Sequence, residues 1–187
     1  MGKIAKIVIL PAIICTLLFG AWAAVRIVRS MAFSFDCTAY IKRAADASTV
    51  EMAKTELLKA IQHAEQNNLT EGIISIILKN PENDIGFWYN NMKAAYTELD
   101  SLPEDAATLE KTNMLMKLRE SLTDGNSDGG ITVTAPDGIS IYPHNVLYFW
   151  WGSLSFFAAC VFWAIFAASF DRKNNKYKMK NTYKKKR

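Results

Sequence analysis

Two stretches of the chain carry no charge: residues 7–25 (IVILPAIICTLLFGAWAAV) and 146–170 (VLYFWWGSLSFFAACVFWAIFAASF). Each is long enough to cross ~30 Å of hydrocarbon as a helix rising ~1.5 Å per residue. No uncharged run between them approaches that length. The intervening pattern is amphipathic instead. Val50, Ala53, Leu57, Ile61 and Ala64 recur at three- and four-residue spacing and predict a helix, opened by Ser48 and Glu51 as a capping box and closed at Asn67-Asn68. Ile85, Trp88, Met92, Tyr96 and Leu99 predict a second helix over 85–100. Leu109, Leu115, Leu118 and Leu122 predict a third, whose start Ser101, Pro103 and Glu104 place near residue 101. Residues 34–46 hold neither glycine nor proline and read as an outward continuation of the first apolar helix. The run Ile73–Leu78 fits a buried helix or a strand, and its helical neighbours favour helix.

Helical spacing stops at Asp124. Ile131-Thr132-Val133-Thr134 and Ile139-Ser140-Ile141-Tyr142 alternate apolar and polar positions on either side of Ala135-Pro136-Asp137-Gly138. A hairpin across that turn is expected, because proline presets φ and glycine accepts φ > 0. Two strands alone are marginal in water, so the hairpin must pack on something larger. The fold class expected is mainly α. An N-terminal transmembrane anchor (1–30) and a second transmembrane helix (146–170) flank an extracytoplasmic antiparallel helical bundle (31–123), with a Gly/Asp loop and short β-hairpin (124–145) before the second span and a basic tail (171–187) after it.

Charge orients this scheme. Residues before 31 hold Lys3, Lys6, Arg26 and Arg29, residues 31–145 hold 9 Lys/Arg against 17 Asp/Glu, and residues 171–187 hold 9 Lys/Arg against one Asp. Basic flanks stay in the cytoplasm during insertion. Both termini are therefore expected inside and the acidic middle outside, in a cell membrane such as a bacterial inner membrane. Ala21-Trp22-Ala23 also resembles a signal-peptide cleavage sequence, but the apolar run of about 19 residues exceeds the usual signal core of ~7–15 and favours a retained anchor. Tyr148, Phe149, Trp150 and Trp151 suit an aromatic belt at the outer interface.

Candidate chemistry is sparse. Asp124, Asn126 and Asp128, followed by Gly129, have the alternating oxygen side chains of half a calcium loop, but the closing carboxylate would fall at Ala135. Calcium is the one cofactor this pattern suggests, and a solvated linker explains the same residues. Phe87-Trp88-Tyr89 fits a ligand pocket or, more simply, a helix core. His63 reads as a helix-surface residue and His144 as a pre-membrane loop residue, without ligands at metal spacing. Asn68-Leu69-Thr70 is a glycosylation sequon that matters only in a eukaryotic secretory pathway. Cys15 and Cys160 lie in the apolar runs and Cys37 outside them, so the outer domain holds no internal disulfide. A buried or reduced Cys37 is favoured over an intermolecular bridge.

Neither apolar run contains Asp, Glu, His, Lys or Arg, the side chains that would mark a proton or ion path. No phosphate-binding loop, dinucleotide turn, nucleophile elbow or HExxH motif is present. No catalytic residue is expected, and the chain reads as a non-enzymatic interaction or scaffold subunit. Its expected partners are membrane lipids and a protein partner or a second copy, through pairs such as Gly20/Ala24, Ser155/Ala159 and Ala164/Ala168. Nucleic acid is not among them, since the tail has only Tyr177 and Tyr183 to stack on bases. The alternative is an accessory or sensor protein that binds calcium or a small ligand and signals through its spans.

Overall fold

The computed structural model describes residues 3–74, 80–125 and 131–185. It is mainly helical, with a small two-stranded antiparallel sheet and two long apolar helices. It divides into two compact units, one made of Met1–Arg26 and Val146–Arg187 and the other of Ile27–Asn145.

The first unit holds most of α1 (Lys3–Phe33) and of α6 (Asn145–Lys185). Both helices are long and apolar enough to cross a membrane, and only 6% of the most apolar window of each is buried. They meet along a seam of aromatic side chains. Phe19 stacks on Trp22 at 5.2 Å and approaches Phe156 at 5.5 Å between ring centroids. The Trp22 indole N–H donates to the Tyr148 carbonyl at 2.7 Å, and the Trp163 indole N–H donates to the Thr16 hydroxyl at 3.1 Å. Gly152 lies directly under the Trp22 ring. Gly20, by contrast, has no neighbour within 4 Å of where a Cβ would stand. Of the expected aromatic belt, Tyr148 is buried and Trp150 exposed.

In the second unit, α1 runs through a π-helical segment, Ser34–Thr38, into α2 (Ala39–Ala45). Three further helices follow: α3 (Val50–Gln66), α4 (Ile85–Asp100) and α5 (Thr108–Leu122). α2 packs on α3 and α5, α3 on α4, and α4 on α5. Ile41, Leu57, Ile85, Met92 and Leu99 are fully buried among them. Each such side chain contributes about 1.5–3 kcal/mol through removal of apolar surface from water. Of the stripes read from spacing, Ala53, Leu57, Ile61 and Ala64 on α3 and Ile85, Trp88, Met92 and Leu99 on α4 are buried, while Val50 and Tyr96 are partly buried against that core. On α5 only Leu118 and Leu122 are buried, and Leu109 is 71% exposed.

Four local expectations are corrected. The N-cap of α3 is Thr49, not Ser48: its hydroxyl accepts from the Met52 N–H at 3.2 Å, while Ser48 turns toward the Met52 sulfur. α5 begins at Thr108 rather than near 101. Ser101 is spent as the C-cap of α4, its hydroxyl donating to the Glu98 carbonyl at 2.9 Å, and Pro103 disfavours helix at the residue before it. The hairpin pairs different segments from those expected. β1 (Thr123–Gly125) continues from α5 and pairs antiparallel with β2 (Ile131–Val133), in the register Thr123↔Val133, Asp124↔Thr132, Gly125↔Ile131. With β2 taken, Ile139–Ile141 folds into a 3₁₀ turn after Gly138, at φ +81°, and buries Ile139 and Ile141 in that way. In the Ile73–Leu78 run, Ile73 forms an isolated bridge with Asp84 rather than helix, the buried Ile74 donates its N–H to the Asn83 carbonyl at 3.0 Å, and residues 75–78 lie outside the described residues.

Candidate functional site

The start of α4 is set by a series of local caps. The Asn80 side chain accepts from the Glu82 N–H at 3.2 Å and opens a 3₁₀ turn, Pro81–Asn83. The Asp84 carboxylate then accepts from the Phe87 N–H at 3.1 Å and opens α4. This geometry splits the Phe87-Trp88-Tyr89 run three ways. Trp88 and Tyr89 are buried, Trp88 tilted against Phe33 with ring centroids 6.3 Å apart. The Tyr89 hydroxyl lies 2.7 Å from a Glu65 carboxylate oxygen, to which it donates. Phe87 is 72% exposed.

One turn further, the Asn91 amide donates to the Ser121 carbonyl at 3.0 Å and ties α4 to the end of α5. The chain returns past this junction at Thr134, whose N–H donates to the Leu122 carbonyl at 3.0 Å. Between these elements lies a cavity of about 390 Å³, walled by Pro81, Phe87, Trp88, Leu122 and Pro136 and edged by Glu82, Asp84, Asn91, Ser121 and Thr134. An apolar recess of this size with a few converging polar groups is the usual form of a small-molecule site. The Trp88 indole N–H is buried and has no acceptor among the described residues. Leaving such a donor unmet costs ~1–3 kcal/mol.

Two other recesses are more polar in lining. One of about 500 Å³ lies between the start of α3 and residues 102–115 and includes Glu51, Glu104 and Lys111. The other, of about 230 Å³, includes Arg29, Asp36, His63 and Ser140. His63 is half-buried with its ring edge-on to Phe33 at 6.0 Å, so it is partly a packing residue rather than a free surface one. His144 is exposed.

Of the calcium pattern, only Asp124 lies within the described residues; Asn126 and Asp128 lie outside them. The Asp124 carboxylate accepts from the Thr134 hydroxyl at 3.0 Å, which braces the β1–β2 pair. Among the described residues, no three His, Cys, Asp or Glu side chains gather as a metal site would require. Cys37 is fully buried, its thiol 3.9 Å from the Ala60 carbonyl, so a bridge to another protomer would require local unfolding.

Two features of this unit carried no signal in the sequence. Glu56 is 7% exposed and held by Arg43 at 3.1 Å and Lys59 at 2.9 Å. The Lys59 half of that pair is legible as i,i+3 spacing, but the Arg43 half joins two helices. The cavity itself gathers residues 81–91, 121–122 and 134–136, which no local pattern connects.

No protein-family model matches the chain, and neither a curated protein nor a solved structure is significantly similar to it. A functional reading therefore rests on the residues themselves.

Proposed function

We propose that this chain is an integral membrane interaction subunit. In this reading it crosses the bilayer twice, keeps both termini in the cytoplasm, and presents an acidic antiparallel helical bundle to a protein partner on the other side. One observation carries it: the apolar windows of α1 and α6 are only 6% buried, while Ile27–Asn145 has a core of its own. Helices that expose this much apolar surface need lipid or another protein to cover it. The orientation follows from charge, with 9 Lys/Arg against one Asp after residue 170 and 17 Asp/Glu against 9 Lys/Arg between 31 and 145. The tail also suits anionic lipid, at about 1 kcal/mol for each basic residue near the surface. No catalytic constellation enters this reading.

The test has two arms. A reporter active only in the cytoplasm should work when fused after Arg187 and fail when inserted near Asn80; the reverse pattern overturns the orientation. A photo-crosslinking residue at Phe87, which is 72% exposed, should give one discrete adduct in native membranes. A chain that remains unlinked there and purifies as a monomer overturns the interaction role. A second reading, an accessory protein that binds a small ligand, is favoured by the cavity of about 390 Å³ beside Phe87.

A further inference from the structure

We infer that the cavity beside Phe87 takes a small organic cation, an amine carried on an apolar body. This inference deepens the ligand-binding reading and stands on whichever side of a membrane the domain lies. The volume of about 390 Å³ suits a guest of one ring or a short branched chain. Phe87, Trp88 and Leu122 supply the apolar wall that would desolvate such a body. Among the described residues the charge at the rim has one sign. Glu82 and Asp84 line the cavity, and neither makes an ion pair with a basic side chain among the described residues.

Both act as acceptors: Glu82 takes the Asn80 amide at 3.0 Å, and Asp84 takes the Phe87 backbone N–H. An ammonium group between these carboxylates would also meet the exposed Phe87 ring, whose face attracts cations. A neutral guest would gain the wall and forgo the rim, and an anion would be repelled by both carboxylates.

The experiment uses the full chain in nanodiscs of uncharged lipid, with empty nanodiscs as the blank, and reads binding by calorimetry. Three probes share one body: phenethylammonium, 2-phenylethanol and 3-phenylpropionate. The amine should bind about tenfold or more tightly than the alcohol, a gap of one decade in Kd, and the carboxylate should not bind. The double variant Glu82→Gln/Asp84→Asn retains oxygens for the local caps and should remove that preference for the amine. Phe87→Ala, at an exposed position, should weaken the amine severalfold without changing the circular dichroism. Equal binding of amine and alcohol, a preference for the amine that survives the double variant, or no binding by any probe would overturn the inference. Failure of the topology arm above would leave these results unaffected.

Discussion

A Cβ added at Gly152 would stand 2.5 Å from Cε2 of Trp22, so the indole sits where any other residue would place its side chain. The same indole donates to the Tyr148 carbonyl at 2.7 Å, one helical turn earlier on α6. Close approach at a glycine is a common way for apolar helices to associate, because lipid offers no hydrophobic drive for it. Gly152→Leu should therefore separate α1 from α6. With the native cysteines replaced, a short bismaleimide should link Phe19→Cys to Phe156→Cys efficiently, since these rings lie 5.5 Å apart. Adding Gly152→Leu should cut the yield severalfold. An unchanged yield would mean that the seam does not depend on this contact.

The core of the second unit makes a sharp contrast between neighbours in sequence. Leu57 is fully buried and Leu58 is 36% exposed. Leu57→Ala should cost about 2–5 kcal/mol through lost transfer energy and a residual cavity. Leu58→Ala should stay within about 1 kcal/mol, as expected of a partly exposed site. Urea unfolding of the full chain in detergent measures both, and equal costs would contradict the packing of α3.

Two glycines that look alike in sequence differ in the structure. Gly138 has φ +81°, and an added Cβ would lie 3.1 Å from the Asn145 amide nitrogen that donates to its carbonyl. Gly125 has open space at the same point. Gly138→Ala should destabilise by about 1–2 kcal/mol from the left-handed backbone alone. Gly125→Ala should be near neutral, within about 0.5 kcal/mol. Denaturation midpoints of the two variants check this, and a neutral Gly138→Ala would argue against the turn before Ile139.

Stability at alkaline pH should depend on Lys54. Its ammonium donates to Asp100 at 2.8 Å, and that hydrogen bond raises its pKa above the ordinary lysine value. A group whose pKa is raised by folding stabilises the folded state fully below its unfolded pKa, ~10.4 for lysine, and loses that contribution as pH rises through the folded value. Melting temperatures followed upward from about pH 9 should fall less steeply for Lys54→Gln than for the wild type. Parallel curves would show that the pair contributes nothing.

Much of this architecture was legible in local pattern. The two uncharged runs became the two long apolar helices, because length and hydropathy are properties of a segment alone. The stripes of α3 and α4 were equally legible, since 3.6-residue periodicity records which face a helix buries. The break after α3 was readable at Asn67-Asn68, where Asn68 adopts φ +56°. Errors gathered where two local signals compete for one group. Ser48 and Thr49 both suit a cap, and only the entry geometry of α3 chose Thr49. Ser101 reads as a helix start but serves as a helix end.

Pairing across the chain lay beyond that reach. The alternation at 131–134 correctly marked a strand, but strand propensity does not name a partner. Continuity of α5 into Thr123–Gly125 supplied that partner and left Ile139–Ile141 to form a turn. The cavity beside Phe87 arises the same way, from α4, α5 and Thr134–Pro136 converging through the Asn91–Ser121 and Thr134–Leu122 hydrogen bonds. Sequence by itself determined the apolar segments, the helical stripes and the division of charge, because each is a sum over neighbouring residues. Only tertiary structure decided that Trp22 packs on Gly152, that Glu56 is buried, and that Glu82 and Asp84 edge an aromatic recess. Those relations join residues tens of positions apart or depend on which way a side chain faces, and their energy exists only once the helices have packed.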